Sequence, residues 1–141
     1  MKVPTWISVE ACLALHELVI AESGGDAGLR DRARLESCLQ RPVQMMAYGE
    51  ATLEQMAAAY AMGLIQGHPF MDGNKRTALL ISAAFLELNG MVFDLPQSSA
   101  AKLIERLAEG AAGETDYVRA IIRTRRRKVD RQAKGTRKQR T

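Results

Sequence analysis

The 141-residue chain predicts an all-α domain. Three observations carry that class. Apolar residues recur at spacings of three and four along most of the chain, start and stop residues bracket each such stretch, and no segment alternates at period two well enough to build a sheet. With 47% hydrophobic and 26% charged residues, the chain can bury a single core without disulfide or metal staples.

Each element follows from local signals. Ser8 precedes Val9, Cys12, Leu13, Leu15, Leu18 and Val19, an amphipathic series that ends before Ser23-Gly24-Gly25. Asp31 can cap a second helix through Leu35 and Leu39 toward Met46, with Pro42 expected to end or kink it near Arg41. Thr52 and Gln55 have the spacing of a capping box, and Leu53, Met56, Ala57, Tyr60 and Leu64 continue one face to about Gln66. A loop over residues 67–73 leads to a fourth helix, Asn74 to Asn89, stopped by Gly90 as a left-handed cap. Ser98 or Ser99 starts a fifth helix ending at Gly110, and Thr115 starts a sixth. The most β structure the pattern allows is a short hairpin near Tyr48 to Glu50 or around Val92-Phe93.

The net charge of +4 conceals a division. Residues 123–141 carry ten Lys/Arg against Asp130 alone, or +9, which leaves ten bases and fifteen acids, or −5, in residues 1–122. The boundaries expected are a domain over 1–125 and a basic, disordered tail over 126–141, since like charge with so little apolar surface does not pack. Such a tail reads as a solubilising extension or as a contact to a polyanion such as nucleic acid, an acidic partner or the ribosome. No apolar run approaches the roughly 20 residues that span a bilayer. The N-terminus has no secretory pattern, so a soluble, cytoplasmic protein without membrane contact is expected. Cys12 and Cys38 fall at apolar helix positions and read as buried free thiols.

The chemistry concentrates in "HPFMDGNKRT", residues 68–77, where a core would have no use for so many polar groups. Its second half opens a helix, whose first N–H groups have no internal partner and, with the positive end of the dipole, attract anions. Gly73 removes an obstructing side chain, and the N–H groups from Gly73 through Arg76 can converge on phosphate oxygens. Asn74 adds an amide, and Lys75 and Arg76 add positive charge. Asp72 supplies the carboxylate that Mg²⁺ takes when a nucleotide provides the remaining oxygens. His68 can accept a proton from an incoming hydroxyl, and Phe70 reads as an anchor in the core. His16, among charged neighbours on the first helix, reads as a surface residue.

These residues closely resemble the signature of Fic-domain proteins, and in particular the Doc (death-on-curing) toxin branch. The resemblance extends through "ISVEACLALHELVI", "GLRDRARLESCLQRP" and "AFLELNGMVF", covering about residues 6–95. It implies a Fic-type helical bundle with the motif loop between two central helices. It also implies transfer of part of ATP to a protein hydroxyl, with His68 as base, Asp72 holding Mg²⁺ and Gly73-Asn74 forming the anion hole.

Lys75 stands where the commoner Fic pattern has a second glycine, and Leu79 where it has a last arginine. Both departures disfavour the pose that transfers AMP. The Doc branch shares the lysine, which implies phosphorylation, by resemblance of a threonine in elongation factor Tu, with arrest of translation. Two rivals stay open, AMP transfer to a protein hydroxyl and nucleic-acid binding through the basic tail. Fic enzymes often carry a Ser/Thr-x-x-x-Glu-Gly/Asn inhibitory helix; the Glu109-Gly110 pair has Glu105 four positions earlier, so restraint by a separate cognate antitoxin is implied instead. "GLRDRARLES" suits either the nucleotide or partner surface or a plain helix cap at Arg30 and Asp31.

Overall fold

α3 (Leu53–Gly67) is apolar all round through its middle, Met56 to Ile65, and it sits at the centre of a helical bundle. In this computed structural model, which describes residues 3–123, Met56 through Met62 and Leu64 of α3 are all buried. A helix without a polar face is stable only when neighbours cover it all round. α1 (Val9–Ser23), α2 (Arg32–Tyr48), α4 (Asn74–Leu88) and α5 (Gln97–Ala108) supply the cover, and α6 occupies residues 114–123. α3 and α4 form the most extensive helix pair, α2 packs on α3, α1 lies against α4, and α5 rests on both central helices. The motif loop joins these two central helices, at the end of the pair where α1 and α2 also meet it.

The local signals act where expected. Ser8 Oγ accepts from Ala11 N–H at 3.1 Å, and Asp31 Oδ1 accepts from Arg34 N–H at 3.0 Å. The Thr52–Gln55 capping box is complete in both directions, at 2.9 and 3.1 Å. Gly90 has φ 83°, following a helix that ends at Leu88 with Asn89 as cap. α5 starts at Gln97 behind Pro96 with no side-chain cap, one residue before the serines expected to begin it. α6 starts one residue before Thr115, and Asp116 Oδ2 accepts from Gly113 N–H at 2.8 Å ahead of it.

Pro42 does not end α2, which runs unbroken to Tyr48. A proline here forfeits the bond its N–H would have made to the carbonyl of Cys38. The face that carries it, Leu35, Cys38, Leu39 and Pro42, is buried against α3, and that burial offsets one lost bond. Gly63 and Gly67 let the helices approach: a Cβ on Gly67 would collide with Cys38 Sγ, and one on Gly63 would lie 3.4 Å from Cys38 O. Among the described residues no strand forms, and the hairpins allowed at 48–50 and 92–93 are absent. A single antiparallel bridge links Leu29 to Phe70. The basic segment 126–141 lies outside the described residues. No described helix is long and apolar enough to cross a membrane.

Both cysteines are free and buried, as expected. Burial pushes the Cys12 thiol up to about 12, with the nearby Cys38 adding to the effect, and burial likewise raises Cys38. Tyr117, bonded to Ser82 Oγ, is pushed up to about 12 by burial even though that bond opposes the shift. Burial also raises Tyr60, whose hydroxyl accepts from Ile7 N–H at 3.1 Å. In each case the unfolded chain loses its proton first. The stability contributed is complete below the ordinary values of 9.0 for the thiols and 10.0 for the phenols; it is lost as pH rises above them, toward about 12 for Cys12 and Tyr117. Thermal midpoints measured from pH 8 upward are expected to fall progressively above pH 9, and replacing Cys12 by alanine should flatten the early part of that decline.

Candidate functional site at the α3–α4 junction

His68 closes α3 in the left-handed region, with φ 49° and ψ 54°. It is the one non-glycine residue with positive φ among the described residues, and its N–H donates to Leu64 O at 3.1 Å. Histidine tolerates this conformation better than most side chains, though still at a cost. The turn frees the chain to reverse toward α4 and leaves the imidazole exposed. Pro69 and Phe70 then turn inward, Phe70 being fully buried as the anchor.

Gly73 begins α4 with φ 78°, and the first helical bond runs from Thr77 N–H to Gly73 O at 2.9 Å. The N–H groups of Asn74, Lys75 and Arg76 therefore have no partner within the helix. A Cβ on Gly73 would lie 3.1 Å from Ile20 Cδ1 and 3.4 Å from Val19 Cγ1, so the backbone is pressed against α1 where only glycine fits without displacement.

The Asn74 side chain is placed differently from the amide expected at a phosphate. It is buried and closes the loop on itself: Phe70 N–H donates to Asn74 Oδ1 at 3.0 Å, and Asn74 Nδ2 donates to Phe70 O at 2.9 Å. Its contribution to an anion site is its backbone N–H. Lys75 Nζ reaches across to Glu105 of α5, at 3.2 and 3.1 Å from the two carboxylate oxygens. Arg76 is exposed beside it. Lys75 and Arg76 line a groove of about 490 Å³ between α1, α4 and α5, together with Val19, Leu79, Leu80 and Ile104.

Asp72 is held by the segment that precedes α2. Its Oδ2 accepts from Asp26 N–H at 2.7 Å, while a Cβ on Gly25 would lie 3.0 Å from the Asp72 Cβ. Pro69 O accepts from both Arg30 and Asp31 N–H, at 2.8 and 3.1 Å, and Met71 N–H donates to Gly28 O at 2.9 Å. The stretch beginning at Gly28 is thus a backbone brace for the motif loop, in addition to supplying the Asp31 cap. Among the described residues no three His, Cys, Asp or Glu side chains gather as a metal cluster. One carboxylate beside a helix start suits Mg²⁺, which takes its remaining ligands from phosphate and water, so the donor set fits that ion when a nucleotide comes with it.

His16 corrects an expectation. It is not on the surface but is buried, its Nε2 lies 2.8 Å from Asp72 O, and its ring stacks on Phe70 with centroids 3.7 Å apart and planes 6° from parallel. The buried residues of α1 are Cys12, His16 and Val19, a stripe at spacings of four and three that the sequence does contain. Leu18, counted with the apolar face, is 63% exposed. The charged neighbours Glu17 and Glu10 lie elsewhere on the helix turn and say nothing about the face His16 occupies.

Comparison with known proteins follows the same residues. The family model described as the Fic/DOC family matches residues 6–86. The chain is 38% identical over 123 residues to "Protein kinase doc" of Escherichia phage P1, covering 86% of this chain and 93% of that protein. It is 37% identical over 71 residues to "Toxin Doc" of Mycolicibacterium smegmatis (strain ATCC 700084 / mc(2)155), covering 48% of this chain and 54% of that one.

Proposed function

The chain belongs to the Fic/DOC family, and from that premise we propose that it is a Doc-type toxin that transfers the γ-phosphoryl group of ATP to a protein hydroxyl. The phage P1 relative carries the printed name of a protein kinase, which supports the phosphoryl reading. By family resemblance the acceptor is a threonine of elongation factor Tu, and the consequence is arrest of translation. The observation that carries the proposal is the braced loop, which puts an exposed imidazole at one end and a helix start with unpartnered N–H groups at the other.

In this reading the backbone N–H groups of Gly73 through Arg76 bind the terminal phosphate, and Arg76 adds charge. His68 takes the proton of the incoming hydroxyl, whose oxygen forms a bond to the γ-phosphorus as the bond to the β-phosphate oxygen breaks and ADP leaves. Mg²⁺, held by Asp72, would supply electrostatic neutralisation of the phosphates. Lys75 at the position of the second glycine, and Leu79 at that of the final arginine, favour presentation of the γ-phosphate over AMP transfer.

Restraint falls to a cognate antitoxin, which we place on the groove lined by Val19, Leu79, Leu80 and Ile104. An amphipathic helix would match its apolar lining, with polar groups facing Glu22, the Lys75–Glu105 pair and Arg76, and would cover the helix start. Incubation with elongation factor Tu, Mg²⁺ and ATP labelled on either the γ- or the α-phosphate tests the reaction. Label is expected to appear in the protein only from the γ position; transfer from the α position would replace phosphorylation by AMP transfer.

A further inference from the structure

We propose that His16 is a positioning residue that locks the Asp72–Gly73 peptide in the orientation needed to bind phosphate, an inference that rests on the phosphate-binding role given above to the start of α4. A buried imidazole is a poor choice for a core position, because its polar nitrogens must be satisfied. His16 is 1% exposed and directs Nε2 at the Asp72 carbonyl, 2.8 Å away. A carbonyl cannot donate, so Nε2 carries the proton in this bond.

The consequence lies in the geometry of the peptide unit. Asp72 C=O and Gly73 N–H belong to one planar trans unit and point in opposite directions. Drawing the carbonyl toward α1 turns the Gly73 N–H away from α1, to the same open end of α4 where Asn74, Lys75 and Arg76 present theirs. Without a hold this unit could rotate, since Gly73 sits at φ 78° and glycine takes positive and negative φ about equally well. A rotated peptide would aim a carbonyl oxygen at the phosphate and repel it.

Two further contacts fit this role. His16 is stacked nearly parallel on Phe70, so the ring that holds the peptide is itself set by the loop's anchor. The Asp72 side chain is separately tied through Oδ2 to Asp26 N–H, at 2.7 Å. Carbonyl and carboxylate of one residue are thus held from two directions, the first by α1 and the second by the 24–31 segment.

A pair of variants separates this role from plain packing. His16→Phe keeps an aromatic ring against Phe70 but has no donor, while His16→Gln loses the ring but can return an N–H to the Asp72 carbonyl. Affinity for Mg²⁺·ADP is measured by calorimetry, alongside thermal midpoints and KM and kcat for ATP. His16→Phe is expected to weaken Mg²⁺·ADP binding by about tenfold or more, the scale of one hydrogen bond plus the repulsion that replaces it. It should raise KM while melting close to the parent, and His16→Gln should recover most of the affinity even if it melts lower. Affinity that follows the melting temperature, or a His16→Phe protein that binds as tightly as the parent, would overturn the proposal. Failure of the parent protein itself to bind Mg²⁺·ADP would overturn the phosphate-site reading together with it.

Discussion

Replacing His68 by asparagine is expected to lower the rate of phosphate transfer by about 10²- to 10⁴-fold, the usual contribution of a positioned general base. Asparagine is the informative substitution because His68 has φ 49° and ψ 54°, and asparagine is the side chain after glycine that most readily takes this left-handed conformation. The backbone bond from residue 68 to Leu64 O is preserved, and the imidazole it removes is exposed. Thermal midpoint and Mg²⁺·ADP affinity should therefore stay near those of the parent while single-turnover transfer from γ-labelled ATP collapses. A variant that transfers phosphate at the parent rate would remove His68 from the mechanism.

Asn74→Ala is expected to act in the opposite manner, through stability first. The substitution leaves the Phe70 N–H and C=O, both buried, without the partners they have at 3.0 and 2.9 Å. An orphaned buried group costs on the order of 1–3 kcal/mol, a sizeable part of the roughly 5–15 kcal/mol that holds a domain folded. Urea unfolding should show a lower midpoint with an unchanged slope, and transfer activity should fall because the loop between His68 and Gly73 loses its closure. Were the amide instead a direct ligand of phosphate, the same variant would unfold like the parent and lose only nucleotide affinity.

The helix starts at Ser8, Asp31 and Thr52 were legible because each depends on groups within three residues of the cap, a range over which sequence and geometry are nearly the same statement. The motif was legible for a related reason. His68, Asp72, Gly73 and their neighbours form one continuous stretch, so their types could be read together with the helix start they occupy. That Pro42 would not end α2 was hidden because its local cost is plain in the sequence, while the compensation lies in an α2–α3 contact far along the chain. Asn74 was read as an amide for phosphate, although Phe70, its partner, is only four residues away; the reversal of the loop makes that pairing possible, and no periodicity signals it.

His16 marks the boundary most clearly. Its spacing from Cys12 and Val19 was available, yet nothing in the sequence says that the stripe faces a loop 56 residues away. Capping, helical period and the chemical content of the motif are short-range properties, so the order of residues was enough to establish the all-α class and to single out the 68–77 stretch as the family motif. Which groups hold that stretch in shape, namely His16 from α1 and Asp26, Gly28, Arg30 and Asp31 ahead of α2, depended on packing. Hydrogen bonds between distant segments exist only after burial of the shared core has brought those segments together.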